Sequence, residues 1–237
     1  MMVRLGTVRG IATTLAAIAW WLAATMPAWC SGTERSVDVE KSRVYIYVDK
    51  TGLGHQHGVE GHLKSGTVAI GAEKDAGQLV FDMTSFRADT AAARKYVGLT
   101  GTTSESTKRQ VNANMLGTQV LDVKHHPTAT LDIDSATYLA QKSRRGYPIV
   151  EIKGRFTLHG VTRRVRILTE LIEEKEVTRL HGGFRIRQTD YRIKPLSKAF
   201  GAIGVADELR IYGELILAST NRTPAGVNAR AGQEPRR

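Results

Sequence analysis

The chain has 237 residues, 41% of them hydrophobic, enough for a sizeable core in one or two domains. Lys and Arg total 34 against 23 Asp and Glu, a formal charge of +11; without Arg4 and Arg9 the balance is 32 against 23, still +9. That excess favours anionic partners and leaves the fold open. With aromatics at 6% and no stacking platform beside the charges, a nucleic-acid binder is not expected.

Arg4 and Arg9 precede an apolar run from Ile11 to Thr25, and Pro27, Ala28 and Ser31 follow it. This is the pattern of an export signal over residues 1–31. The run is about 15 residues, short of the ~20 that span a bilayer. The expected location is therefore the periplasm or the exterior. Cys30 is the only cysteine, so no disulfide is expected within the mature domain. Trp29 and Pro27 before it argue against a lipoprotein anchor. Residues 32–40 read as a polar linker, 41–218 as one domain, and 219–237 as a basic disordered tail.

Within 41–218 the apolar residues recur at every second position. Val44, Ile46 and Val48 share one strand face, as do Leu79, Phe81 and Met83. Ala129, Leu131 and Ile133 alternate with Thr130, Asp132 and Asp134. Val150, Ile152, Phe156 and Leu158 alternate with Glu151, Lys153, Arg155 and Thr157. Val165 and Ile167, Phe184 and Ile186, and Leu209 to Leu217 continue the pattern. Such alternation marks strands with one buried face. Turn signals at Asp75-Ala76-Gly77, Arg145-Gly146, His159-Gly160 and His181-Gly182-Gly183 separate the runs and imply antiparallel hairpins. Residues 88–116 break the pattern: an Ala-rich stretch precedes Ser104, a helix cap, and Gly117, a helix stop. The fold class is mainly β, with about eight antiparallel strands and a short inserted helical segment. A closed barrel and a two-sheet sandwich both fit the alternation.

Four segments resemble one known family. GRFTLHGVTRRV (Gly154 to Val165) resembles the central motif of YceI-like proteins. Val111 to Ser135 resembles their helix, short strand and following strand, with Leu131 where an aromatic is usual. His55 to Ile70 resembles their N-terminal pattern, with Leu63 in place of an aromatic, and Gly204 to Leu217 resembles their closing strand. The resemblance implies an eight-stranded lipocalin-like β-barrel and, for characterised members, a polyisoprenoid chain in the lumen.

The first candidate site is that lumen. Phe81, Leu131, Ile133, Ile152 and Phe156 sit on the apolar sides of their strands and are the expected lipid-binding residues. The expected partner is an apolar lipid ligand. The alternatives are a filled core in a structural or stress-response domain, and a metal- or haem-binding barrel built on His55, His57 and His62. His55 and His57 share a strand face, and His62 joins it only through a bulge. Without a nearby Cys, and with only Glu60 close by, no metal and no cofactor are expected. His125 and His126 precede Pro127 and read as turn residues. The second candidate is a basic stripe. Arg163, Arg164 and Arg166 on one strand and Arg185, Arg187, Arg192 and Lys194 on the next would suit an anionic membrane surface or a solvated face. Neither a Gly-x-Ser-x-Gly elbow nor a phosphate loop is present, and His159 reads as a structural turn residue, so the chain is not expected to be an enzyme.

Overall fold

The computed structural model describes residues 32–174 and 177–218. Residues 1–31, where an export signal is expected and Cys30 lies, and the expected tail from 219 onward lie outside the described residues. In chain order the elements are β1 (Glu34–Ser36), β2 (Arg43–Gly52), β3 (His57–Ala69), β4 (Gly77–Ala88), α1 (Ala91–Tyr96) and α2 (Glu105–Leu116). They continue with β5 (Thr128–Lys142), β6 (Pro148–Leu158), β7 (Val161–Glu174), β8 (Val177–Arg187), β9 (Ser197–Lys198) and β10 (Ile203–Leu217).

The long strands pair antiparallel in the order β3-β2-β10-β8-β7-β6-β5-β4, and β4 returns to β3. Eight strands therefore close into a ring, which removes open edges and excludes the sandwich. The period-two pattern decides which side chains enter it. On β5, Ala129, Leu131 and Ile133 are buried while Thr130, Asp132 and Asp134 are half-buried. The register then slips between Ile133 and Ser135, so one extra residue re-aims the strand and Ala136 becomes the buried position.

One end of the barrel is sealed. β1 pairs with the end of β3, Glu34 against Ala69. The 70–76 loop folds across the opening: Gly71 N–H donates to Ala136 O at 2.7 Å and Ala76 N–H to Ile133 O at 2.9 Å. Ala69, Ala72, Ala76 and Ala136 are buried there beside Val68 and Ile133. The polar stretch 32–40 is thus not a linker throughout. Val37 N–H donates to Gly66 O and Ala218 N–H to Ser36 O, each at 2.8 Å. Backbone pairing, which needs no apolar side chain, holds this segment to the barrel.

The other end carries the helices. Thr90 caps α1 by accepting from Ala93 N–H at 3.0 Å, and Ser104 caps α2 by accepting from Thr107 N–H at 3.2 Å. Gly117 does end α2, in an extended rather than a left-handed conformation. α1 packs on the outside of the barrel, where a Cβ on Gly58 would come within 2.9 Å of the Ala93 carbonyl. Tyr96 of α1 stacks on Tyr45 of β2, with ring centroids 3.9 Å apart.

Three of the four turn signals lie at turns; His181-Gly182-Gly183 does not. It lies in mid-β8, with Gly182 opposite Thr169 and Gly213. A Cβ on Gly182 would fall 2.5 Å from Leu168 O, and one on Gly183 would fall 2.4 Å from Ile211 O. These glycines permit close strand approach instead of reversing the chain.

Candidate ligand cavity

The inward faces of the eight strands do not meet. They leave a cavity of about 200 Å³, where a single water needs about 10–15 Å³. The interior is therefore not filled.

Its wall is almost wholly hydrocarbon. β2 contributes Val44, Ile46 and Val48, and β4 contributes Leu79, Phe81, Met83 and Phe86. Leu131, Ile152, Phe156, Ile167 and Phe184 come from β5 to β8, and Ile211 and Leu215 from β10. α2 supplies Val111 and Met115 at the helical end, which makes the inserted helix part of the wall. Asn112 anchors it, accepting from Ala88 N–H at 2.8 Å. Phe156 is the centre of an aromatic group. It meets Phe81, Phe184 and Tyr191 edge to face at centroid distances of 6.1, 5.6 and 5.8 Å. Burial pushes the Tyr191 hydroxyl up to about 12, so it stays neutral.

Polar groups on the wall are few, and two are engaged by the barrel itself. Thr169 Oγ1 donates to Val150 O at 3.0 Å, and Gln188 Nε2 donates to Ala206 O at 2.8 Å. His57 is held through Nδ1, 2.8 Å from Oδ2 of Asp89. Asp89 is fully buried and also receives Arg94 Nη1 at 3.2 Å, Thr103 Oγ1 at 3.1 Å and Gly58 N–H at 3.3 Å. Burial alone would raise its carboxyl. His57, Gly58 and Thr103 outweigh that and hold it below the usual carboxylate range.

Of the five residues expected to bind lipid, Phe81, Leu131, Ile152 and Phe156 line the cavity. Ile133 is buried but lies outside the lining, in the packed end beneath the 70–76 loop. Leu63 is likewise buried and outside the lining; Leu131, the other departure from the family's aromatics, is within it. Alternation marked the inward faces of β2, β4 and β10 correctly. It held no signal for the contribution of α2 or for Asp89.

The three histidines are not brought onto one face. His55 is exposed in the loop before β3, His57 faces the cavity, and His62 lies on the opposite side of the strand. Among the described residues, no group of three or more His, Cys, Asp or Glu could hold a metal ion. His126 and His159 lie together at the β6–β7 turn, ring centroids 4.5 Å apart, and His125 contacts Asp122 at 2.8 Å.

The basic stripe is interrupted. Arg192 and Lys194 do not lie on β8, which ends at Arg187; a 3-10 turn over Gln188–Tyr191 intervenes. Arg166 is bound to Glu151, Arg185 to Glu208 at 3.1 Å, and Arg163 Nε donates to Asp190 O at 3.2 Å.

No curated relative matches the chain. Burkholderia cenocepacia BcnA is similar in structure at 16% identity and a TM-score of 0.50, over 76% of this chain and 98% of its own. A polyisoprenoid-binding domain from Saccharophagus degradans, implicated in plant cell wall breakdown, is similar at 12% identity and a TM-score of 0.51. That match covers 78% of this chain and 97% of the domain. Both share the fold. The family model for the YceI-like domain matches residues 36–216, and the chain belongs to that family.

Proposed function

We propose that this YceI-like chain is a non-enzymatic carrier or store that holds a long apolar lipid, polyisoprenoid in kind, in its barrel after export to the periplasm or beyond. The observation that carries the proposal is the cavity itself: ringed by strands and α2, walled by hydrocarbon, with Thr169 and Gln188 bonded to the barrel. Each methylene moved from water into such a wall contributes about 0.8 kcal/mol. A long tail therefore gains affinity by length, and needs few polar contacts. The polyisoprenoid bound by the Saccharophagus degradans domain supports this class of ligand. The N-terminal pattern of Arg4, Arg9 and an apolar run supports export.

The test is native mass spectrometry of protein purified from its own cells, followed by organic extraction. A stoichiometric prenyl lipid, recovered only from folded protein, is the expected result. Protein that is consistently free of lipid, from a cell rich in such lipids, would defeat the proposal.

A further inference from the structure

At the helical end, outside the cavity, two loops join to form an apolar tip. Leu53 N–H, after β2, donates to Ala202 O at 2.9 Å, and Ile203 pairs with Gly52. Leu53 is 80% exposed and Ile203 45%, and Phe200 stands wholly in solvent. Three large apolar side chains, two on adjoining loops and one at the start of β10, thus face water, with no packing role to account for them.

The backbone beneath them is strained. Ala199 and Phe200 have φ of 49° and 54°, two successive left-handed residues, neither of them glycine. L-residues enter that region at a cost, and the cost persists only where the surroundings impose it. Here the Lys198–Ile203 pairing and an Ala202 N–H to Ala199 O bond of 3.0 Å impose it, and the outcome is an outward Phe200.

Exposed cations lie along the segments that carry the tip. From Tyr191 to Ala206 the chain carries Arg192, Lys194 and Lys198 and no acid. Lys50 pairs with Val205 on the adjoining strand. All four are exposed. Of the acids nearest in sequence, Asp49 accepts from Gln56 and Asp207 from Thr189, while Asp190 stands exposed two positions before Arg192. On the outer faces of β7 and β8, by contrast, Glu151 pairs with Arg166 and Glu208 with Arg185.

We propose that this tip docks the protein on an anionic bilayer: Phe200, Leu53 and Ile203 enter the interfacial layer while Lys50, Arg192, Lys194 and Lys198 hold its headgroups. An apolar wedge ringed by cations is the chemistry of interfacial membrane binding. A second copy of the chain fits less well, because a symmetric contact would bring two sets of four cations together. The position has a consequence for the cavity. Leu196 and Val205, joined by an N–H to O bond of 3.0 Å, line it, and they lie in the hairpin that carries the tip. Docking would set the helical end of the barrel against the acyl layer. The tip lies outside the cavity, and docking through it needs no ligand in the lumen.

Vesicle flotation tests the inference, with the full chain and two kinds of vesicle: phosphatidylcholine alone, and phosphatidylcholine mixed with phosphatidylglycerol. The parent protein is expected to float with the mixed vesicles, less so at high salt. Leu53→Ser with Phe200→Ser should weaken that binding about tenfold or more. Lys194→Glu with Lys198→Glu should remove the preference for phosphatidylglycerol. All four sites are exposed, so unchanged circular dichroism and thermal midpoint establish that the variants fold. The N-terminal segment is common to every variant and cancels in the comparison. Equal flotation of parent and Ser variant would overturn the proposal, as would a parent that floats with neither vesicle. Concentration-dependent dimerisation lost in Phe200→Ser, seen by sedimentation velocity, would overturn it in favour of a contact between copies. Extracted lipid, measured on the same variants, reads the lumen separately.

Discussion

The imidazole of His57 and the carboxylate of Asp89, thirty-two positions apart in sequence, meet at 2.8 Å at the helical end of the barrel. Asp89 follows directly on β4 with φ of 57°, one residue before the cap of α1, and Arg94 of α1 reaches its other oxygen. One buried carboxylate therefore ties the start of β3, the exit of β4 and the first helix to one another. His57 forms part of the cavity wall, so this knot sets the shape of that end of the lumen.

Asp89→Asn keeps the shape and removes the charge. Arg94 and His57 then lose their anionic partner in a largely dry site, and a loss of about 3 kcal/mol is expected. The pH dependence gives a second signature. The Asp89 carboxyl lies below its ordinary value of 3.8, so its ionisation favours the folded state above that pH. This contribution is lost as the pH falls through the lower, folded value. Thermal midpoints measured from neutral pH down into the acid range should therefore converge for parent and Asn variant. Parallel curves across the acid range would show that the charge of Asp89 does not stabilise the fold.

The strands were legible because half of each is buried. Leu79, Phe81 and Met83, or Leu209, Ile211 and Leu215, declare their inner face by alternation alone. Closure was not legible, since the pairing of β3 with β4 lies in register and not in composition. Ile133 shows the limit for the site. It obeys the alternation as well as Leu131 does, yet the 70–76 loop packs over its end of the barrel and leaves no space there. Alternation reports which way a side chain points, not whether a void lies beyond it. Asp89 was hidden for a different reason. Its partners come from three separate segments, and only the fold assembles them.

The glycine pair in β8 gives an independent check on the barrel. Gly182→Ala would set a Cβ 2.5 Å from Leu168 O and 2.7 Å from Thr169 Cγ2, so β7 and β8 must separate. A cost of about 1–3 kcal/mol is expected, read as a lower denaturation midpoint. If 181–183 were a turn, alanine there would be tolerated; an unchanged midpoint would restore the turn.

The lumen is best tested by a substitution that fills it without touching its wall. Gly213 lies in mid-β10 on the inward face, between Ile211 and Leu215, and pairs with Val44 and Gly182. A Cβ placed on it would meet no atom within 4 Å, which is unusual for the centre of a strand. Gly213→Leu therefore projects four carbons into free space. Glycine in a strand is itself destabilising by about 0.5–1 kcal/mol against alanine, so the lipid-free variant should be as stable as the parent or slightly more. The same carbons occupy volume that a bound tail would need, and the lipid extracted per protein should fall several-fold. Ile133→Trp is the matched control. It adds volume at the sealed end, among Ala72, Ala76 and Ala136, and should cost about 1–3 kcal/mol through overpacking while leaving the lipid of the folded fraction in place. The two variants thus separate stability from occupancy in opposite directions. A Gly213→Leu protein that is destabilised as much as Ile133→Trp would mean that no free lumen exists. One that is stable yet still carries the parent's full complement of lipid would place the ligand outside the barrel.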